Sequence, residues 1–262
     1  MDAASEGERS RPGALRLADA ERELAETARV GLNQLRVAAF ATAAATVLPP
    51  AAGLFREQMP TVELAVTEGD PGDTLAALHA GDHDVALAYD YPVLSGPGPD
   101  GLELEPLFVD QMCVALPAEH PLAGVDAVPL SALAYEPWCA PHHSVCRDAL
   151  DLACRTAGFT PRIVSETNDY MVMQGLVAAR VGVAVMPRLA TAIAVRPGIA
   201  VRPLLGDVLE RVTFIVTRTA GYRPAAVSTL RAALIHGVGL LDTHGLALEP
   251  FESEHTGLLN PA

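Results

Sequence analysis

The stretch from Ala157 to Pro187 constrains this chain more than any other. It reads as an apolar strand (Arg162–Ser165), a polar turn (Glu166-Thr167-Asn168-Asp169), an apolar helix, a break at Gly182 and a second apolar strand ending at Pro187. That is one βαβ unit, and it commits the neighbouring segments to layered α/β packing. The helix starts in a turn of small polar residues. Its first backbone N–H groups lack helical partners and face the carboxyl edge of the strand, where a small polar ligand can accept from them.

The same rhythm runs through most of the chain. Leu35–Phe40 reads as a strand and Val47–Met59 as a helix with Leu48, Ala51, Ala52, Phe55 and Met59 on one face. Val62, Leu64 and Val66 alternate as a second strand, a short helix closes at Gly81, and Val85–Tyr89 is a third strand. Two successive crossovers imply a parallel sheet. After the Pro/Gly-rich segment 92–101, a second set begins with a strand at Met112–Leu116. Strands at Pro137–Ala140, Arg162–Ser165 and Val183–Met186 then alternate with helices at Ser144–Ala157 and Asn168–Ala179. A short helix after Pro187, strands at Val201–Leu204 and Val212–Thr217 and a helix over Pro224–Leu241 complete the pattern. The expected fold is therefore α/β, with two Rossmann-like lobes and a ligand cleft between them.

Composition narrows the function. The 262 residues carry 18 basic and 32 acidic side chains, a formal net charge of −14, and every basic residue is Arg. Such a chain by itself is a poor match for phosphate backbones. No apolar run is long enough to span a bilayer, and the polar, acidic start Met1–Gly13 is unlike a secretory signal, so a cytoplasmic location is expected. Cys113, Cys139, Cys146 and Cys154 are then expected as reduced thiols.

Ligands of open parallel sheets bind beyond the carboxyl ends of the strands. That rule selects Thr42 after the first strand, Asp70 after the second and Tyr89 at the end of the third; in the other half it selects His142, His143 and Ser144, then Glu166, Thr167 and Asn168. Thr42 and Ser144 also suit plain helix capping, and both roles stay open. Asp169 is most simply a first-turn acid favoured by the helix dipole. Cys139-Ala-Pro-His142-His143-Ser-Val-Cys146 has metal-ligating residue types but no second Cys/His pair, and Cys154 reads as a core residue. Neither metal nor cofactor is expected. Nucleophile-elbow, phosphate-loop and His-Glu-x-x-His signatures are missing, so the chain is not expected to be an enzyme.

Several segments in order resemble the effector-binding region of LysR-type transcriptional regulators. They are Leu35-Arg-Val-Ala-Ala-Phe40 through Leu48-Pro49, Phe55-Arg56 with Pro60-x-Val62-x-Leu64, Leu78-x-x-Gly81-Asp82-x-Asp84, Pro117-x-x-His120-Pro121-Leu122-Ala123, and the Ala157–Pro187 unit. The resemblance spans roughly residues 14–242. It implies the fold of type 2 periplasmic solute-binding proteins. It also implies effector contacts at Thr42, Tyr89, Ser144, Val145, Cys146 and Thr167, beside the Asp70 that the strand-end rule selects. Some carboxylate-binding relatives carry Arg at the position of Tyr89, which argues here against a plain anionic effector.

The resemblance divides the chain into a disordered N-terminus (1–13), a linker helix (14–33) that is either a solvated helix or a dimerising arm, lobe I (34–108 plus 220–242), lobe II (109–219) and a flexible tail (243–262). The winged helix-turn-helix module of the family is not among these segments, so DNA contact is expected only through such a module. Expected partners are a small-molecule effector and a second copy, as homodimer or tetramer, with no membrane. A solute receptor, or a lyase or dehydratase on the same fold, is the alternative. Arg180 stands where the family usually has Gly before a small apolar residue and Gly182; a left-handed backbone there costs about 1 kcal/mol relative to Gly.

Overall fold

A computed structural model describes residues 33–94, 98–206, 209–219, 225–242 and 249–250. The expected N-terminal segment and linker helix, Asn33 apart, and almost all of the tail lie outside the described residues.

The first sheet is built on β1 (Gln34–Ala39), flanked by β2 (Glu63–Glu68) and β3 (Val85–Asp90), all parallel. Helices α1 (Ala41–Thr46), α2 (Leu48–Gln58) and α3 (Pro71–Ala80) make the crossovers. β1 is buried along most of its length because both of its faces are covered, which is why it reads as a continuous apolar run. Gly81 closes α3 at φ 83°, the left-handed conformation that a residue without Cβ adopts freely. Arg36 and Asp84 pin β1 to the start of β3 with an ion pair at 2.7 Å.

β4 (Leu102–Pro117) is the structural link between the halves. Its first ten residues run antiparallel to β9 (Glu210–Arg218) in the first sheet. From Met112 onward it pairs instead with β7 (Ala184–Pro187) and β8 (Ile199–Pro203). Two corrections follow. The expected strand Met112–Leu116 is only the second half of a 16-residue strand. Residues 210–218, assigned by sequence to the second lobe, are hydrogen-bonded to β3 and so belong to the first sheet, which is mixed rather than parallel. β10 (Glu249–Pro250) pairs with the free edge of β4.

In the second half, β5 (Pro137–Ala140) and β6 (Arg162–Glu166) pair in parallel around α4 (Val145–Thr156). Cys146, Ala149, Leu150, Ala153 and Cys154 are buried at helical spacing on α4, so Cys154 is a core residue as read. α5 (Tyr170–Ala178) leads through Gly182 to β7, and α6 (Arg188–Ile193) follows directly. A Cβ at Gly182 would lie 2.6 Å from the Pro137 carbonyl oxygen, so β7 approaches β5 only because this position has no side chain. Arg180 does adopt the left-handed backbone, at φ 62°, and its exposed side chain pairs with Glu119. α7 (Ala225–Asp242) packs against α2, and Leu230 and Leu234 are fully buried. No helix of the described residues is long and apolar enough to cross a membrane.

Candidate functional site

Strand ends and helix heads from both halves meet at one small cleft. Phe40, Ala41, Thr42, Asp70, Tyr89 and Arg211 line it from the first sheet. Pro141, Ser144, Cys146, Thr167, Asn168 and Tyr170 line it from the second half. Its volume is about 40 Å³, room for about three waters.

Six of the seven expected residues, Thr42, Asp70, Tyr89, Ser144, Cys146 and Thr167, therefore reach one cavity. Val145 does not line it; its half-buried side chain packs against the core. Thr42 is no cap: it lies inside the short helix α1, and its Oγ1 accepts from Arg211 Nη2 at 3.2 Å. Ser144 is the N-cap of α4, where its Oγ accepts from the Arg147 N–H at 3.4 Å and donates to the His142 carbonyl at 3.0 Å. Asp169 caps α5 by accepting from the N–H groups of Met171 and Val172 at 2.7 and 3.2 Å. Asp70 heads α3 without a side-chain cap bond, which leaves its exposed carboxylate at the mouth of the cleft.

The floor holds the residue that sequence reading missed. Arg211, 1 % exposed, donates through Nη2 to Asp110 Oδ2 at 2.5 Å. Its guanidinium lies 4.9 Å from the Phe40 ring centroid and 4.7 Å from that of Tyr89, a cation–π contact with each ring. Asp110 in turn accepts from the Leu189 N–H at 3.0 Å, at the head of α6. One ion pair thus ties the first sheet to the helix that leaves the second. Burial alone would weaken the hold of Arg211 on its proton, but Asp110 more than offsets this and the guanidinium stays charged. Nε of Arg211 is buried without a partner. Its sequence signal is a lone Arg directly before the expected strand Val212–Thr217, inside what folds as Glu210–Arg218.

Sulfur and phenols form the back wall. Cys146 Sγ lies 3.1 Å from Tyr89 Oη and accepts from Tyr91 Oη at 3.4 Å. Burial first, then Cys146, raises the pKa of Tyr89, Tyr91 and Tyr170, so all three rings remain neutral phenols. Cys113 and Cys154 are pushed up to about 12 by burial, and their thiols are inert at neutral pH. All four cysteines are free and buried. Among the described residues no three His, Cys, Asp or Glu side chains converge as a metal site, and His142 and His143 face solvent.

The family model for the LysR substrate binding domain matches residues 30–238. The transcriptional regulator MetR of Salmonella typhimurium is 30% identical over 196 residues, which cover 74% of this chain and 59% of that protein. The chain thus spans less than two thirds of that relative. Among solved structures, the effector binding domain of QuiR in complex with shikimate superposes with a TM-score of 0.68 at 17% identity, covering 78% of this chain and 95% of that one. The BenM effector binding domain with its effector benzoate gives 0.69 at 19% identity, covering 82% and 94%.

Proposed function

Because the chain belongs to the LysR substrate-binding-domain family, we propose that it is the sensing part of a LysR-type transcriptional regulator. A small polar metabolite enters the cleft, contacts Thr42, Asp70, Tyr89, Cys146 and Thr167, and changes how the two halves sit about β4. The observation that carries this is the convergence of strand ends and helix heads from both halves on one cavity with no nucleophile–base pair. A ligand that contacts both halves stabilises one relative orientation by its differential affinity, and that is a switch. The QuiR and BenM domains, which share the fold, are described with shikimate and benzoate in complex.

In this reading the protein catalyses nothing and meets DNA only through a helix-turn-helix module outside the described residues. It acts as a dimer or a higher assembly. β2 supports the pairing: it ends the first sheet, its outer edge has no partner strand among the described residues, and Val66 is 49 % exposed on it.

Thermal shift of the whole chain against a panel of small metabolites tests the reading. A ligand at ~100 times its dissociation constant adds ~2.7 kcal/mol of stability. Thr42→Ala or Thr167→Ala should reduce that shift. An unchanged response in both variants overturns the site, and turnover of the stabilising compound overturns the non-catalytic assignment.

A further inference from the structure

A receptor cleft works only if its polar groups stand at a fixed spacing, and on that reading the second wall needs a brace. The wall consists of two turns, 141–144 before α4 and 167–169 before α5, which belong to different strand–helix units. Pro141 and Ser144 line the cleft from the first turn, Thr167 and Asn168 from the second.

Arg147, in the first turn of α4, reaches both turns without lining the cleft, and its side chain is 12 % exposed. Its Nη1 donates to the Pro141 carbonyl at 3.2 Å and to Glu166 Oε1 at 2.8 Å. Its Nε donates to both carboxylate oxygens of Asp151, each at 3.1 Å, one turn further along the helix. Its backbone N–H is the one that Ser144 caps. Pro141 opens the first turn, and Glu166 directly precedes Thr167. One planar guanidinium therefore fixes the first turn, the helix that follows it and the root of the second turn relative to one another.

An isolated exposed ion pair would have little hold. Here a rigid fork, mostly buried, is shared between two carboxylates and a carbonyl, so all three distances are set together. The turns also touch directly, through the His142 N–H on Asn168 Oδ1 at 3.0 Å, but Asn168 is exposed. With Arg147 behind it, that bond stays closed. A ligand that bridges two turns already spaced does not have to order them, so more of its contact free energy goes into shifting the halves.

We propose that Arg147 is the positioning residue of the second wall: through Pro141 and Glu166 it holds the two ligand-facing turns at one spacing, and the second half meets its ligand as a single rigid jaw.

The test uses the whole chain and needs no metabolite. Cys146 lines the cleft, whereas Cys154 lies on the same helix, fully buried and away from it. Arg147→Lys keeps the charge and removes the fork. Labelling with N-ethylmaleimide, followed cysteine by cysteine by mass spectrometry, should be about tenfold faster at Cys146 in this variant and unchanged at Cys154. Amide exchange at His142 should accelerate by a similar factor, with Met171 and Val172, which Asp169 caps, unchanged. Glu166→Gln should give a smaller acceleration, and adding it to Arg147→Lys should change little more, because both break the same bond. Cys146 labelling at the parent rate, fully independent effects of the two substitutions, or equal acceleration at all four thiols, the mark of lost global stability, overturns the proposal. Failure here is distinct from failure of the receptor reading, which a metabolite screen with no stabilising compound overturns while these rates stay as they are.

Discussion

The two walls of the cleft are held by opposite kinds of contact. On the first wall, Thr42 and Arg211 are 2 % and 1 % exposed, and their bonds join residues 169 and 101 positions apart in the chain. On the second wall Ser144 and Thr167 are half-buried, Asn168 is exposed, and most bonds reach only two or three residues. Short-range bonds form with the helix heads themselves; long-range ones exist only once the whole fold has closed. The first wall therefore sets geometry and polarity, and the second can adjust without unfolding the protein. A receptor that responds to its ligand needs one wall of each kind.

The strongest challenge to this contrast is Asp110→Ala. It leaves Arg211 buried beside two aromatic rings with no counter-charge, and breaking a buried pair from one side costs about 3–5 kcal/mol. Chemical denaturation should show a loss of that size. Replacing both partners, as in Asp110→Leu with Arg211→Met, should return most of it, because the desolvation penalty disappears with the charges. A loss below about 1 kcal/mol for the single change would mean that the first wall is solvated and the contrast false.

Next in size is Gly182→Ala, which probes the support behind the second wall. The new Cβ would meet the Pro137 backbone at 2.6 Å, so β5 or β7 must shift, at about 1–3 kcal/mol. β5 leads into the cleft turn Pro141–Ser144, and β7 leads into α6, whose Leu189 N–H holds Asp110 behind the cleft. Any ligand affinity should therefore fall with stability, whereas a purely local defect would lower stability alone.

The same contrast explains what could be read from sequence. Part of the second wall was legible: Ser144 caps α4 and Thr167 lies in a turn at a strand end, roles that depend on neighbours a few positions away. Asp169, expected as a first-turn acid, is instead the N-cap of α5, and Val145 turns away from the cleft. On the first wall the strand-end rule found Thr42, Asp70 and Tyr89, because parallel strands present their ends together. It missed Arg211 and Asp110, since both lie on the antiparallel strands that cross between the halves, β4 leaving the first sheet and β9 returning to it. Their pairing is a property of the β4–β9 ladder, in which Asp110 faces Arg211, and neither strand alone carries it. The missed half of β4 has the same origin. Leu102–Asp110 is broken by Pro106 and three acids, which reads as a loop until β9 is placed beside it.

Smaller effects sharpen the description of the second wall. Asp169→Ala removes a cap that serves two N–H groups of α5 and should cost about 1 kcal/mol. Asp169→Asn should cost a fraction of that, since Asn caps nearly as well. Amide exchange is the discriminating measurement: protection should fall at Met171 and Val172 and stay unchanged in β1, β3 and β9. A uniform loss across both halves would show that the second wall is as tightly coupled to the fold as the first.

The smallest effect lies at the other end of α5, and its sign is the informative part. Arg180 holds a left-handed backbone at φ 62°, which Gly would adopt at lower energy by about 1 kcal/mol. Against this stands the Arg180–Glu119 pair, whose side chains are 65 and 71 % exposed; pairs of that kind contribute at most about 1 kcal/mol and are screened by salt. Arg180→Gly should therefore be neutral to slightly stabilising at low ionic strength. Its advantage over the parent should grow as salt is added, because only the parent has a pair to lose. A melting temperature that drops on substitution, and drops further in salt, would assign Arg180 a structural role that neither its exposure nor its backbone supports.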